Sequence, residues 1–335
     1  MRVGLAYDLK QAVRTNGAAP DDALEEYDSP ATIEYIRKAL EGVGHSVINL
    51  GGGTEFIHNI LREKVDIVFN IAEGRGNYRS RESQVPAILE MLDIPYTGSD
   101  PECLAICLDK PLTKKIVRTA GIATPDWRVI NSEKELEKIS WNDFPFPAII
   151  KPAYEGSSKG VHGQSLVDTE EQTLSVVSEL LKVYKQPVMV EQFIDGDEVT
   201  VGVLGNSPHR VILGMMRILP RRQKNRFVYS VEVKRDWRNL VDYEAPPNLK
   251  EEVQKEITAS CFNAYQMLGC RDFARIDFRV SKDGIPYMLE INPLPGLGDY
   301  SDLIIMALKL GWSHEGLIVA VFNAALKRYP LWVHG

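Results

Sequence analysis

The stretch Arg275-Ile276-Asp277-Phe278-Arg279-Val280-Ser281-Lys282-Asp283-Gly284-Ile285-Pro286-Tyr287-Met288-Leu289-Glu290-Ile291-Asn292 reads as two strands joined by a tight turn. Asp-Gly is the dipeptide that two-residue type I′ hairpin turns prefer. If Lys282 pairs with Ile285, then Asp277 faces Glu290 and Arg275 faces Asn292. Side chains alternate along a strand, so these four polar groups share one face. Two carboxylates directly opposite each other repel. A divalent cation reverses that sign, and carboxylate and amide oxygens are the hard donors that Mg²⁺ takes, completed by water and phosphate. An odd-numbered loop would shift the register by one and break the facing. A solvated face of alternating charge accounts for the same residues. The flanks weigh against it: Phe278, Met288 and Leu289 fit a partly buried sheet, and Asn292-Pro293-Leu294-Pro295-Gly296-Leu297-Gly298 is a rigid, glycine-punctuated exit loop.

Outward from this hairpin, the first hundred residues alternate strand and helix. Arg2–Tyr7, Ser46–Leu50 and Val65–Ile71 fit strands. Ser29-Pro30 opens a helix with a capping hydroxyl and a first-turn proline, and Ile33, Ile36 and Leu40 follow at helical spacing. Ile57–Leu61 and Val85–Leu92 fit further helices. Such alternation predicts a parallel sheet with helices on its faces. The polar segment from Asp8 to Ser29 is too long for an ordinary connection and reads as a functional or mobile loop. A Lys-rich helix spans Asp109 to Ala120. Beyond Thr124-Pro125 the texture changes to strands near Ala148–Pro152, Val188–Phe193, Val199–Leu204 and Val211–Leu219, a basic loop at Arg221–Arg226, and a long helix at Lys250–Leu268.

Composition excludes several classes. The 335 residues are 44% hydrophobic and 25% charged, which is the balance of a packed globular protein of about two domains or three small ones. A formal charge of −7 gives no footprint for nucleic acid. The longest clear apolar run, Leu317 to Phe322, is far below the ~20 residues a membrane helix needs. Asp8 comes too early for a secretory signal. Cys103, Cys107, Cys261 and Cys270 form no C-x-x-C pair and read as buried thiols of a cytoplasmic protein.

Two segments suit a nucleotide. Lys151-Pro152-Ala153-Tyr154-Glu155-Gly156-Ser157-Ser158-Lys159-Gly160-Val161 offers backbone amides, two hydroxyls and a point charge to phosphates, although taken alone it reads more readily as a surface turn. Glu191-Gln192-Phe193-Ile194-Asp195-Gly196-Asp197-Glu198 pairs apolar side chains with acids, as an adenine edge and ribose hydroxyls need, or as an ordinary acidic hairpin has.

Taken in order with Ile94-Pro95-Tyr96-Thr97-Gly98-Ser99, Asp109-Lys110, Lys114 and Pro295-Gly296, these segments resemble the ATP-grasp ligases, most closely the D-alanine–D-alanine ligase group. The resemblance covers nearly the whole chain. It implies an α/β (α+β) ATP-grasp fold of three domains: a parallel-sheet domain at 1–112, a small central domain at 113–205, and a domain at 206–335 with the metal-binding hairpin and lid. ATP lies between two antiparallel sheets. The implied activity is carboxylate–amine (peptide) ligation through an acyl phosphate. By position, Lys114, Lys151, Glu155 and Ser158 meet the ATP phosphates, Glu191 and Ile194 the adenine, and Glu198 the ribose. Asp277, Glu290 and Asn292 hold two Mg²⁺, with Mn²⁺ an acceptable substitute. Arg275, Ser157, the Gly296 amide and Lys234 form the catalytic set, with Tyr229–Arg238 as lid. Glu25 or Glu26, Arg235, Ser301 and Asp302 face the amino-acid substrates. A homodimer through the first domain is also implied.

The chain departs from the family pattern in its substrate region. Arg235 replaces a tyrosine after the lid lysine, Glu73 stands where a histidine is usual, and Asp302 replaces an apolar residue. Arg75, Arg79, Arg235 and Asp302 are therefore candidates for reading polar or charged substrates, although surface charge pairs account for the same residues. Two alternatives follow: a ligase joining other amino acids or small carboxylates in a specialised pathway, and a non-catalytic ATP-binding regulator. Retention of Arg275 argues against the second, since a binding module needs no oxyanion partner.

Overall fold

A computed structural model of the chain describes residues 1–13, 19–222 and 226–329. Strands β1 (Arg2–Ala6), β2 (Ser46–Gly51) and β3 (Ile67–Asn70) form a parallel sheet in the order β2-β1-β3. Alternation sorts its side chains. Val3, Leu5, Ile67 and Phe69 pack with Ile36 and Leu40 of helix Pro30–Gly42 and with Leu317, Val321 and Phe322 of helix His314–Leu326. Ala6 and Val68 face Phe56, Ile60, Val85 and Leu89 on the other side. As the sequence predicts, Ser29 caps its helix by accepting from the Thr32 N–H at 3.2 Å. The C-terminal helix thus closes the core begun by the first strand. No single helix among the described residues is long and apolar enough to cross a membrane.

Strands β4 (Trp127–Ile130), β5 (Ala148–Pro152), β6 (Leu166–Val167) and β7 (Val188–Gln192) form an antiparallel sheet in the order β4-β7-β5-β6. Ala148, Ile150, Val188 and Val190 point into a core covered by Val177, Leu180 and Tyr184 of helix Glu170–Tyr184. Lys151 and Glu191, at the alternate positions, point away from it. A second antiparallel sheet contains β8 (Gly196–Leu204), β9 (Val211–Pro220), β10 (Val241–Glu244), β11 (Phe273–Ser281) and β12 (Pro286–Asn292), in the order β10-β9-β8-β11-β12. Strand β8 thus pairs with β9 and β11 rather than with the sheet that precedes it in sequence. Ala274, Ile276, Phe278 and Val280 bury themselves against Val253, Ile257, Cys261 and Ala264 of helix Glu251–Met267. Arg275, Asp277 and Arg279 face the other way, toward the first antiparallel sheet. All four cysteines are buried and unbonded.

The β11–β12 turn differs from expectation. Ser281 N–H donates to Ile285 O at 2.9 Å, and Gly284 N–H to Ser281 O at 2.8 Å, so the loop is Lys282–Gly284, three residues long. Gly284 takes φ 85°, the left-handed turn position open to glycine. The odd loop pairs Val280 with Pro286 and Phe278 with Met288; a β-bulge then absorbs Leu289 and restores Asp277 opposite Glu290 and Arg275 opposite Asn292. The expected facing is present, but by two compensating irregularities rather than by an even turn.

Candidate active site

Residues from the two antiparallel sheets line one cleft. Lys151 and Glu191 come from one side, and Glu198, Thr200, Ile218, Asp277 and Glu290 from the other. Lys114, from helix Lys110–Thr119, and Lys151 both end on Glu191: Lys114 Nζ lies 2.5 Å from Oε1, and Lys151 Nζ 2.7 Å from Oε2. Burial lowers Lys114 to about 8, despite Glu191. Burial also opposes ionisation of Glu191, but Lys114 and then Lys151 outweigh it and hold the carboxyl below its usual range. Two cations are thus kept in place on one acid. Ile194 and Phe193 supply an apolar wall, with the Arg279 guanidinium 4.5 Å from the Phe193 ring centre.

At the cleft floor, Arg275 Nη2 lies 2.8 Å from Asp277 Oδ2 and 3.7 Å from Glu290 Oε1. Lys110 Nζ stands 3.3 Å from Glu290 Oε2, and Asn292 Nδ2 lies 3.3 Å from Asp277 Oδ2. Thr200 Oγ1 also donates to Asp277. Burial raises Asp277; Arg275 opposes and Glu290 reinforces that shift. Glu290 goes the other way: burial is outweighed by Lys110, Lys151 and Arg275, which hold it far below the carboxylate range. Two carboxylates and an amide oxygen within one patch are a hard donor set that fits Mg²⁺.

A second cavity of about 320 Å³ adjoins the cleft. Arg275, Asn292, Gly296, Ser157, Ser301, Glu25 and Glu26 line it, and Lys110, Tyr229, Lys234 and Asp302 line both spaces. The segment expected to be the lid is helical: Val231–Arg235 and Trp237–Leu240 are short helices. It is bound down along its length. Ser158 Oγ donates to Tyr229 O at 3.0 Å, and Val231 N–H to Val161 O at 3.0 Å. Ser157 and Ser158 hold left-handed backbone, φ 50° and 60°, conformations that non-glycine residues keep mainly at functional sites. Lys234 Nζ sits 5.1 Å from the Tyr229 ring centre.

Several sequence candidates occupy other roles. Ser301 Oγ donates to Gly296 O. Asp302 is buried and accepts from Tyr229 Oη at 2.9 Å, tying lid to floor. Arg235 bridges the lid to the first-domain loop, 2.9 Å from both Asp21 and Glu25. Arg75 pairs with Asp8 at 2.8 Å, and the exposed Arg79 lies 3.7 Å from Asp109; neither is among the residues lining the two cavities. Glu26 is deep and saturated: Arg81 Nη2 at 2.7 Å, Lys159 Nζ at 3.2 Å and the Gly156 N–H at 2.5 Å. Burial opposes its ionisation, yet Arg81 and Lys159 hold it down to about 2. Glu155 belongs to the same network, accepting from Lys159 at 2.5 Å and Gln186 at 2.6 Å. Part of the basic loop, residues 223–225, lies outside the described residues, as does 14–18 of the Asp8–Ser29 segment.

Sequence reasoning missed Arg81, Lys159 and Lys110 as site-builders, and Asp28 and Glu82 as cavity walls. One signal was readable: Glu73 and Asp8 follow the carboxyl ends of parallel strands, where open α/β sheets place ligands.

Residues 116–323 match the family model described as D-ala D-ala ligase C-terminus. The chain is 37% identical over 293 residues to a D-alanine–D-alanine ligase of Aquifex aeolicus, covering 87% of this chain and 94% of that one. It is 30% identical over 312 residues to an uncharacterized protein, y4sG, of Sinorhizobium fredii, covering 88% of each. A crystal structure of D-alanine–D-alanine ligase from Bacillus anthracis complexed with ATP superposes with a TM-score of 0.75 at 24% identity, over 98% of this chain and 99% of that one, a likeness of fold.

Proposed function

The chain belongs to the D-alanine–D-alanine ligase family of ATP-grasp enzymes, and on that premise we propose how its residues divide the work of joining two amino acids. It is an ATP-dependent ligase that forms a peptide bond. The observation that carries the division of labour is the shared wall: Lys110, Tyr229, Lys234 and Asp302 border both cavities. A γ-phosphate and a substrate carboxylate meet there.

ATP occupies the cleft, its phosphates on Lys114, Lys151 and the Glu155–Ser158 turn, its base against Ile194 and Glu191, its ribose at Glu198. A substrate carboxylate oxygen attacks the γ-phosphorus, the bond to the bridging oxygen breaks, and ADP leaves. The acyl phosphate so formed gives a poor electrophile a leaving group. Lys234 holds the transferring phosphoryl group from the lid. Asp277, Glu290 and Asn292 would hold magnesium, which when bound neutralises charge on the phosphates. The second substrate's neutral amine then attacks the acyl carbon. Arg275, the Gly296 amide and Ser157 stabilise the oxygen that becomes negative. Phosphate departs and the amine's surplus proton is released. Water is excluded by the lid, fastened at Tyr229, Val231 and Arg235.

The working units proposed are 1–112, 113–205 and 206–335, and the working assembly a cytoplasmic homodimer through the first of them, on the strength of the family resemblance alone. Sedimentation velocity tests the assembly. The chemistry is tested with Mg·ATP and D-alanine, then with other amino acids singly and in pairs. Stoichiometric ADP and a dipeptide by mass spectrometry are expected; ATP binding with neither product would favour a regulatory protein.

A further inference from the structure

The cations around the amino-acid cavity have acids of their own. Arg275 pairs with Asp277, Lys110 with Glu290, Arg235 with Asp21 and Glu25, Lys10 with Glu25 at 3.7 Å, and Arg238 lies 3.8 Å from Asp299. Lys234 is left for the phosphoryl group. The acids at the other end are not matched. Asp28, Glu73 and Glu82 line the cavity, and among the described residues none of their carboxylates makes a hydrogen bond or an ion pair. Asp28 is 5% exposed and its carboxylate opens on the cavity, and Glu73 and Glu82 beside it are half-buried. Glu26, the acid that would receive a substrate ammonium by resemblance, is already saturated by Arg81 and Lys159.

A buried carboxylate without a partner costs stability, and a cation removes that cost. A single metal ion fits poorly, because the three carboxylates do not bring their oxygens within 4.8 Å of one another. Spread acids suit a spread of charge. An ordinary amino acid brings one ammonium, which satisfies one of the three. Resting on the ligase reading above, we infer that the acyl-donor subsite takes an amino acid with a second cationic group, its two cations distributed over Asp28, Glu73 and Glu82 and its carboxylate directed to Lys234 and Arg275. The electrostatics agree: burial, and then Glu82, Glu26 and Asp28, raise Glu73, and burial raises Glu82 to about 7 against the pull of Arg81.

The test compares diamino acids with neutral isosteres: lysine with norleucine, and ornithine with norvaline, both enantiomers, each with Mg·ATP and D-alanine as acceptor. The expected result is a kcat/KM at least tenfold higher for one diamino acid than for its isostere. That ratio should fall at least tenfold in Glu82→Gln and Glu73→Gln and be retained in Glu82→Asp; a ratio is insensitive to partial loss of folded enzyme. Equal use of both members of each pair, or a preference that survives both glutamine variants, overturns the inference. Calorimetric binding of the same pairs with a non-hydrolysable ATP analogue separates the two readings. Selective binding of the diamino acid without any ADP formation would keep the pocket assignment and remove the ligase reading. Ligation of two D-alanines with indifference to the second cation would do the reverse.

Discussion

Asp277 stands opposite Glu290 across β11 and β12, and the two carboxylates titrate in opposite directions, Asp277 up and Glu290 down. The difference lies in their neighbours. Lys110 and Lys151 reach Glu290, while burial dominates at Asp277. Either Asp277→Asn or Glu290→Gln removes one hard donor. Loss of a supporting partner alone costs about 10–100-fold in metal affinity, so we expect each variant to need at least about 100-fold more Mg²⁺ for half-maximal ADP formation. A metal titration reads this directly.

Glu191 separates two lysines that are 1% and 8% exposed. Glu191→Gln leaves Lys114 and Lys151 buried with no acid between them. Breaking a buried pair from one side costs about 3–5 kcal/mol. Urea unfolding of the ligand-free variant should show a loss of that size.

Arg275 is held by Asp277 at one edge of the cavity. Removing one donor to a developing oxyanion typically costs about 10²–10³ in kcat. Arg275→Met should show this loss in dipeptide formation, with a much smaller change in KM for ATP.

Asp28 and Glu82 set a pH dependence. Burial, followed by Asp8, raises Asp28 to about 8, and burial raises Glu82 to about 7. Their folded values exceed the unfolded ones, so the native state binds more protons. The stability this contributes is complete below the unfolded values near about 4 and is lost as pH rises through about 8. Thermal melts from pH 5 to 8 should show a decline in the ligand-free chain that is shallower in Asp28→Asn. A cationic substrate should also release protons on binding near pH 7, which calorimetry in buffers of different ionisation enthalpy detects.

Arg235 joins the lid to the first-domain loop from an exposed position, with acids on the other side. Exposed pairs contribute about 0.2–1 kcal/mol each. Arg235→Ala should therefore change unfolding stability by less than about 1 kcal/mol, yet free the lid. Faster ADP release in stopped-flow measurements, mimicked in wild type by high salt, is the expected sign.

The parts legible in the sequence are those carried by local pattern. Alternation along β11 and β12 placed Arg275, Asp277, Glu290 and Asn292 on one face, and Ser29-Pro30 marked a helix start. The bulge at Leu289 was not legible, because an extra residue in a strand leaves no compositional mark when it is apolar like its neighbours. The network of Glu26, Arg81, Glu155 and Lys159 was not legible for a different reason. Its members lie as far as 133 residues apart and meet only when the first-domain loop packs on the Glu155–Gly160 turn. The neighbours of Arg75 and Arg79 were not legible on the same ground: Asp8 and Asp109 are distant in sequence. Which acids remain unpaired is a property of the whole fold.

Activation of the carboxylate by phosphorylation leaves an isotopic mark. It is tested by supplying an amino acid that the enzyme turns over, labelled with ¹⁸O in its carboxyl group, together with unlabelled Mg·ATP. The expected products are ADP and, with each dipeptide, one inorganic phosphate carrying one ¹⁸O atom. Dipeptide formed with unlabelled phosphate, or with AMP carrying the label, would contradict activation by phosphorylation.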